Sequence, residues 1–113
     1  MSRNYEVTLT IKGAKDEGEL FDALLKVATE DFNVDTGNTL IFDGVHDQTF
    51  NEVFYGSTTP ESYAKELASA LTDAFGHEVS IRIATTYLDE LPYDAFVFGP
   101  EDGLDGTRLE VEA

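Results

Sequence analysis

The sequence predicts a two-layer α+β sandwich, with helices packed on one face of an antiparallel sheet. Three observations carry that prediction. Apolar residues alternate singly with polar ones near residues 5–11 and 79–87, the period of a half-buried strand. Between them, apolar residues recur every three or four positions over 20–32 and 63–75, the period of an amphipathic helix. Turn residues separate all these segments, and at 113 residues the chain is of single-domain size.

Tyr5, Val7, Leu9 and Ile11 alternate with Glu6, Thr8, Thr10 and Lys12, and Gly13 ends this first strand. Asp16 stands three residues before Glu19, a capping-box spacing that makes Asp16 the N-cap of a helix. Leu20, Phe21, Leu24, Leu25, Ala28 and Phe32 form its apolar stripe, roughly four turns at about 3.6 residues per turn. Thr39–Phe42 is a short run of strand formers, followed by reversal signals at Asp43-Gly44 and His46-Asp47. Thr49–Tyr55 reads as the returning strand. Thr59-Pro60 supplies an N-cap and first helical residue, and Gly76 a C-terminal glycine. The stripe between them is Tyr63, Ala64, Leu67, Ala68, Leu71, Ala74 and Phe75. Val79–Tyr87 alternates as a strand, Ala95–Phe98 makes a fifth, and Leu109 with Val111 suggests a sixth. The order is βαββαβ with one or two extra C-terminal strands, the split βαβ arrangement called ferredoxin-like. Residues 1–113 are expected to form one compact domain, with 89–113 as an acidic C-terminal segment. Thr8, Thr10, Ser80, Ala84 and Thr86 are expected to form a small, polar, exposed sheet face, with a second copy as one candidate occupant.

Charge bounds the function. Twenty-three acidic side chains face seven basic ones, a formal net charge of -16 that repels itself and calls for salt, cations or a basic partner. The chain is not a disordered acidic tail, because eight Phe and five Tyr are enough for a core. With no Cys there is no disulfide, thiolate metal site or Cys nucleophile. Apolar runs are too short to span a bilayer, and Met1–Tyr5 lacks the apolar stretch of a secretory signal. A soluble cytoplasmic protein is the expectation, with no membrane partner. Direct binding of nucleic acid is not expected either, since phosphate contact needs Lys and Arg.

The acids are unevenly spread. From residue 89 onward Asp89, Glu90, Asp94, Glu101, Asp102, Asp105, Glu110 and Glu112 stand against Arg108 alone. The cluster at Asp16, Glu17, Glu19 and Asp22 has a local reason, because carboxylates favour a helix N-terminus. The C-terminal cluster has none. In size, charge and compactness the chain is similar to the small acidic proteins with which phages and mobile elements block restriction or CRISPR nucleases. That similarity implies a non-enzymatic DNA mimic that fills the basic groove of a nucleic-acid-handling protein. Asp89, Glu90, Asp94, Glu101, Asp102 and Asp105 would stand in for phosphates, and Tyr93 would be a rigid anchor. The alternative is a salt-adapted or cation-stabilised domain acting as a subunit or interaction module.

Other chemistry is less favoured by the residues. Glu101, Gly103, Asp105, Gly106 and Glu112 fall on positions one, three, five, six and twelve of an EF-hand-length loop. Position three lacks a side-chain ligand and Phe96–Phe98 reads as a preceding strand, so the match is treated as chance, with no metal or cofactor expected. His46 and His77 are the only histidines, the first in an expected turn and the second just past a helix end. No nucleophile elbow, phosphate loop or zinc motif accompanies them, so no enzymatic activity is expected.

Overall fold

The structure, a computed structural model, describes residues 2–29, 31–90 and 94–99. Their order is β1 (Ser2–Lys12), α1 (Glu17–Val27), β2 (Val45–Tyr55), α2 (Pro60–Phe75), β3 (Ser80–Tyr87) and β4 (Ala95–Phe98). The four strands form one antiparallel sheet in the order β2-β1-β3-β4, an α+β fold with ferredoxin-like order and an extra strand at the C-terminal end. The suggested strand at Leu109 and Val111 lies outside the described residues.

The helix-facing side of the sheet follows from alternation. Val7 pairs with Phe50 and Thr85, and Leu9 with Gln48 and Ile83, so these side chains share one face. Val7, Leu9, Ile11 and Ile83 are buried there against Leu20 and Leu24 of α1 and Leu67 and Leu71 of α2. Truncating any one of these leucines to Ala should cost about 2–5 kcal/mol.

Both helix starts follow their caps. Asp16 Oδ1 accepts from Glu19 N at 2.8 Å, and Glu19 reaches back to the amide of Lys15 rather than that of Asp16. Thr59 and Ser62 close a reciprocal capping box ahead of Pro60, and Gly76 ends α2 with φ 73. Helix α1 is shorter than the sequence implies. It stops at Val27, and its buried row is Leu20, Ala23, Leu24 and Val27. Phe21 and Leu25 sit one residue beyond Leu20 and Leu24, turned about 100° from the core at 3.6 residues per turn, and are exposed.

The expected strand at Thr39–Phe42 does not form. Asp43 (φ 54) and Gly44 (φ 78) make a two-residue reversal closed by Phe42–Val45 backbone bonds, but pairing ends at that one bridge. Side chains of β2 take over the work of a ladder. Gln48 Oε1 accepts from Asp35 N at 2.6 Å, its Nε2 donates to Asp35 O at 3.2 Å, and His46 Nδ1 donates to Leu40 O at 3.0 Å. His46-Asp47 is therefore no turn: β2 begins at Val45, and His46 is 1% exposed. No helix among the described residues is long and apolar enough to cross a membrane.

Candidate functional site

Three of the acids singled out from sequence come together at the end of the sheet where β1 starts. Asp89 and Glu90 follow β3, and Asp94 precedes β4. Tyr87 N donates to Asp94 O at 2.9 Å and Leu88 N to Asn4 O at 3.0 Å, which ties the connection to both neighbours. Asp89 is a clasp. Its carboxylate accepts from Asn4 N at 2.9 Å and Asn4 Nδ2 at 3.0 Å. The backbone hydrogen bond, then the side-chain one, hold its pKa below the ordinary carboxylate value. Glu90 and Asp94 are exposed and make no side-chain hydrogen bond among the described residues. Tyr93, Glu101, Asp102 and Asp105, together with the EF-hand-length loop, lie outside the described residues.

The field at this end registers in a neighbour. Burial pushes the pKa of the Tyr5 hydroxyl up; Arg3 opposes, while Tyr87, Asp94 and Asp89 add to the rise. A cleft of about 290 Å³ opens beside it, lined by Tyr5, Pro60, Thr85, Tyr87, Asp94 and Phe96.

A larger feature escapes the sequence reading. A groove of about 800 Å³ runs between β2 and α2, with Asp31, Glu66 and Asp73 on its walls. Glu52 lies at its floor, only 4% exposed. The buried carboxylate is satisfied by neutral donors. Oε1 accepts from Asn33 N at 3.0 Å and Tyr63 OH at 2.8 Å, and Oε2 accepts from Asn33 Nδ2 at 2.8 Å. Tyr63, itself buried, has its pKa raised far above the ordinary phenol value, first by desolvation and then by the Glu52 charge. Beneath the groove Phe32 meets Tyr63 edge-on, Tyr63 lies tilted against Phe54, and Phe54 stacks on Tyr5. One signal was present in the sequence: Glu52 falls in phase with Phe50 and Phe54, on the inward side of its strand.

Neither histidine offers a free base. Gln48 Nε2 donates to His46 Nε2 at 2.9 Å, so His46 carries its proton on Nδ1 and both ring nitrogens are engaged in the core. His77 Nε2 lies 3.0 Å from both Glu19 oxygens. The Lys15 amide first, and His77 second, lower the Glu19 pKa. Among the described residues one Lys–carboxylate pair forms, Lys65–Glu61 at 2.8 Å, and no three His, Asp or Glu gather closely enough to share a metal ion.

No protein-family model matches the chain, and comparisons with curated proteins and with solved structures find no significant match.

Proposed function

We propose that the protein is a non-enzymatic polyanion that occludes the basic groove of a nucleic-acid-handling protein, in the manner of a DNA mimic. One observation carries the reading. On a folded scaffold, among the described residues, a single exposed carboxylate is paired with Lys or Arg, and the exposed Glu90 and Asp94 make no side-chain hydrogen bond. A rigid array of this kind gives counterion release and steering without ordering a flexible chain. Glu90 and Asp94, with Asp105 beyond them, are the primary contacts; Asp89 shapes the connection through Asn4. Glu101, Asp102 and Tyr93 belong to the same stretch of sequence.

The test is displacement of a labelled DNA duplex from a panel of restriction endonucleases and CRISPR effector complexes. The protein should compete, and its affinity should fall with the logarithm of salt concentration. The variant Glu90→Lys/Asp94→Lys/Asp105→Lys should fold normally and no longer compete. Failure to displace duplex from any panel member, or undiminished competition by the triple variant, overturns the proposal.

A specific observation favours a second reading, that of a salt-adapted domain. Exposed acids also occupy the opposite end of the molecule, at Asp16, Glu17, Asp22, Asp43 and Asp47, where a single docking face would not need them. Salt should then govern folding rather than association.

A further inference from the structure

The groove between β2 and α2 carries four carboxylates, and no Lys, Arg or His lines it among the described residues. Glu66 and Asp73 stand two turns apart on one side of α2, about 10.5 Å at 1.5 Å per residue. Asp31 comes from the loop after α1, and Glu52 from the floor. Asp31, Glu66 and Asp73 are exposed and form no ion pair among the described residues.

The chain's own cations are engaged elsewhere. Arg3 Nη2 donates to Gly56 O at 3.1 Å and to Thr58 O, which holds its charge at the turn that ends β2. Lys65 pairs with Glu61 at 2.8 Å. Arg82 lies across the sheet from Glu52, on the face of Thr10, Ala84 and Thr86, which are buried there rather than exposed as the alternation implies. Glu52 meets only the neutral donors of Asn33 and Tyr63. A cleft lined by one sign of charge, over a wall of low dielectric, focuses the field and concentrates the opposite ion.

Spacing decides what kind of cation fits. Among the described residues no three acids gather closely enough to share a metal ion, so these carboxylates do not close around one compact divalent ion. An extended cation, with its charges spread along a chain, meets them one at a time. The volume of about 800 Å³ is that of a small-molecule site. Phe32 and Tyr55 line the groove too, and Tyr55 is 66% exposed, which offers apolar and π surface to the methylenes and ammonium groups of an alkylamine.

We propose that this groove binds a linear aliphatic polyamine. Glu66 and Asp73 each take one ammonium group, Asp31 provides a further contact, and Glu52 supplies charge from the floor without touching the ligand. This inference goes beyond the proposed function and does not depend on it, because Glu90 and Asp94 do not line the groove.

Calorimetric titration of the full chain with spermidine is the test. At about 0.15 M monovalent salt, charges more than about 8 Å apart are largely screened, which suppresses diffuse attraction to a chain of charge -16. One spermidine should bind per chain, with a Kd tighter than about 1 mM. Glu66→Gln/Asp73→Asn should weaken binding about fivefold, the effect of losing two solvent-exposed ion pairs. Glu17→Gln/Asp43→Asn removes the same charge from exposed positions at the other end of the molecule and should bind as the parent does. Circular dichroism checks that each variant is folded; should the α2 variant fail to fold, Asp31→Asn decides instead, with a loss of about twofold. No saturable binding at millimolar spermidine, or an equal loss in the groove and control variants, overturns the proposal. Binding of a short oligolysine peptide that the α2 variant abolishes, without binding of spermidine, would assign the groove to the lysines of a partner protein and overturn it equally. No nucleic-acid-handling protein is present in the assay, so its failure is distinct from failure of the DNA-mimic reading.

Discussion

Replacing Tyr63 by Phe removes one hydroxyl from the floor of the groove and changes little else, because the ring keeps its contacts with Phe32 and Phe54. The lost bond runs to a buried carboxylate at 2.8 Å. Hydrogen bonds to charged groups contribute about 1.5–3 kcal/mol, and Glu52 Oε1 keeps its bond from Asn33 N, which places the loss near the lower end, about 1.5–2 kcal/mol. For a domain of this size that is a fall in Tm of roughly 5–8 °C. Urea unfolding followed by tyrosine fluorescence and circular dichroism measures it. The neutral control is Glu52→Gln. A Gln oxygen still accepts from Tyr63, and its amide nitrogen is accommodated by a flip of the Asn33 side chain. In the double-mutant cycle, the coupling between positions 52 and 63 should therefore shrink to about 1 kcal/mol or less once the charge is gone. A loss below about 0.5 kcal/mol for Tyr63→Phe would mean that water already reaches the carboxylate, and the account of Glu52 as a dry, neutral-donor site would be refuted.

Two further outcomes follow from the electrostatics. The pKa values of Asp89 and Glu19 both lie below their usual values of 3.8 and 4.5, so each contributes stability above its usual value, lost as pH falls through the folded-state one. The stability gap between the parent and Asp89→Asn should close on acidification from pH 5 to about pH 2, and a gap independent of pH would show that Asn4 does not discriminate the charged form. Thermal unfolding at low and high monovalent salt separates the two functional readings: the DNA-mimic reading expects a fold already stable at low salt, and unfolding there with rescue by salt would favour adaptation to brine.

The elements most legible in the sequence are those whose stabilisation is local. Asp16, Thr59-Pro60 and Gly76 mark helix ends because their side chain or backbone freedom satisfies the adjacent turn. β1 and β3 are legible because period-2 alternation sorts their residues between two faces. Thr39–Phe42 misleads for the opposite reason. Within it Leu40 O is taken by the His46 side chain, while Gln48 holds Asp35 just ahead of the run, and propensity encodes neither contact. Of the candidate site, Glu90 and Asp94 are exposed, as acids in a polar stretch ordinarily are. The role of Asp89 depends on Asn4, 85 residues away in sequence, and the groove acids Asp31, Glu66 and Asp73 meet only through the packing of α2 on β2.

Glu52 and Arg82 are the two charges that binary patterning would place outside and the fold places inside. They sit on opposite faces of the sheet, Glu52 towards the helices and Arg82 away from them. Their environments are opposites as well. Glu52 is satisfied by Asn33 and Tyr63 without a counter-ion, which keeps its negative charge in the total. Arg82, by contrast, buries Nε and Nη2 with no hydrogen-bond partner among the described residues. A sheet separates the two, with no shared hydrogen-bond partner among the described residues, so their effects should add rather than couple. The stability changes of Tyr63→Phe and Arg82→Met should therefore sum in the double variant to within about 0.5 kcal/mol, as read by urea unfolding. Coupling between them would mean that the sheet transmits strain from one face to the other.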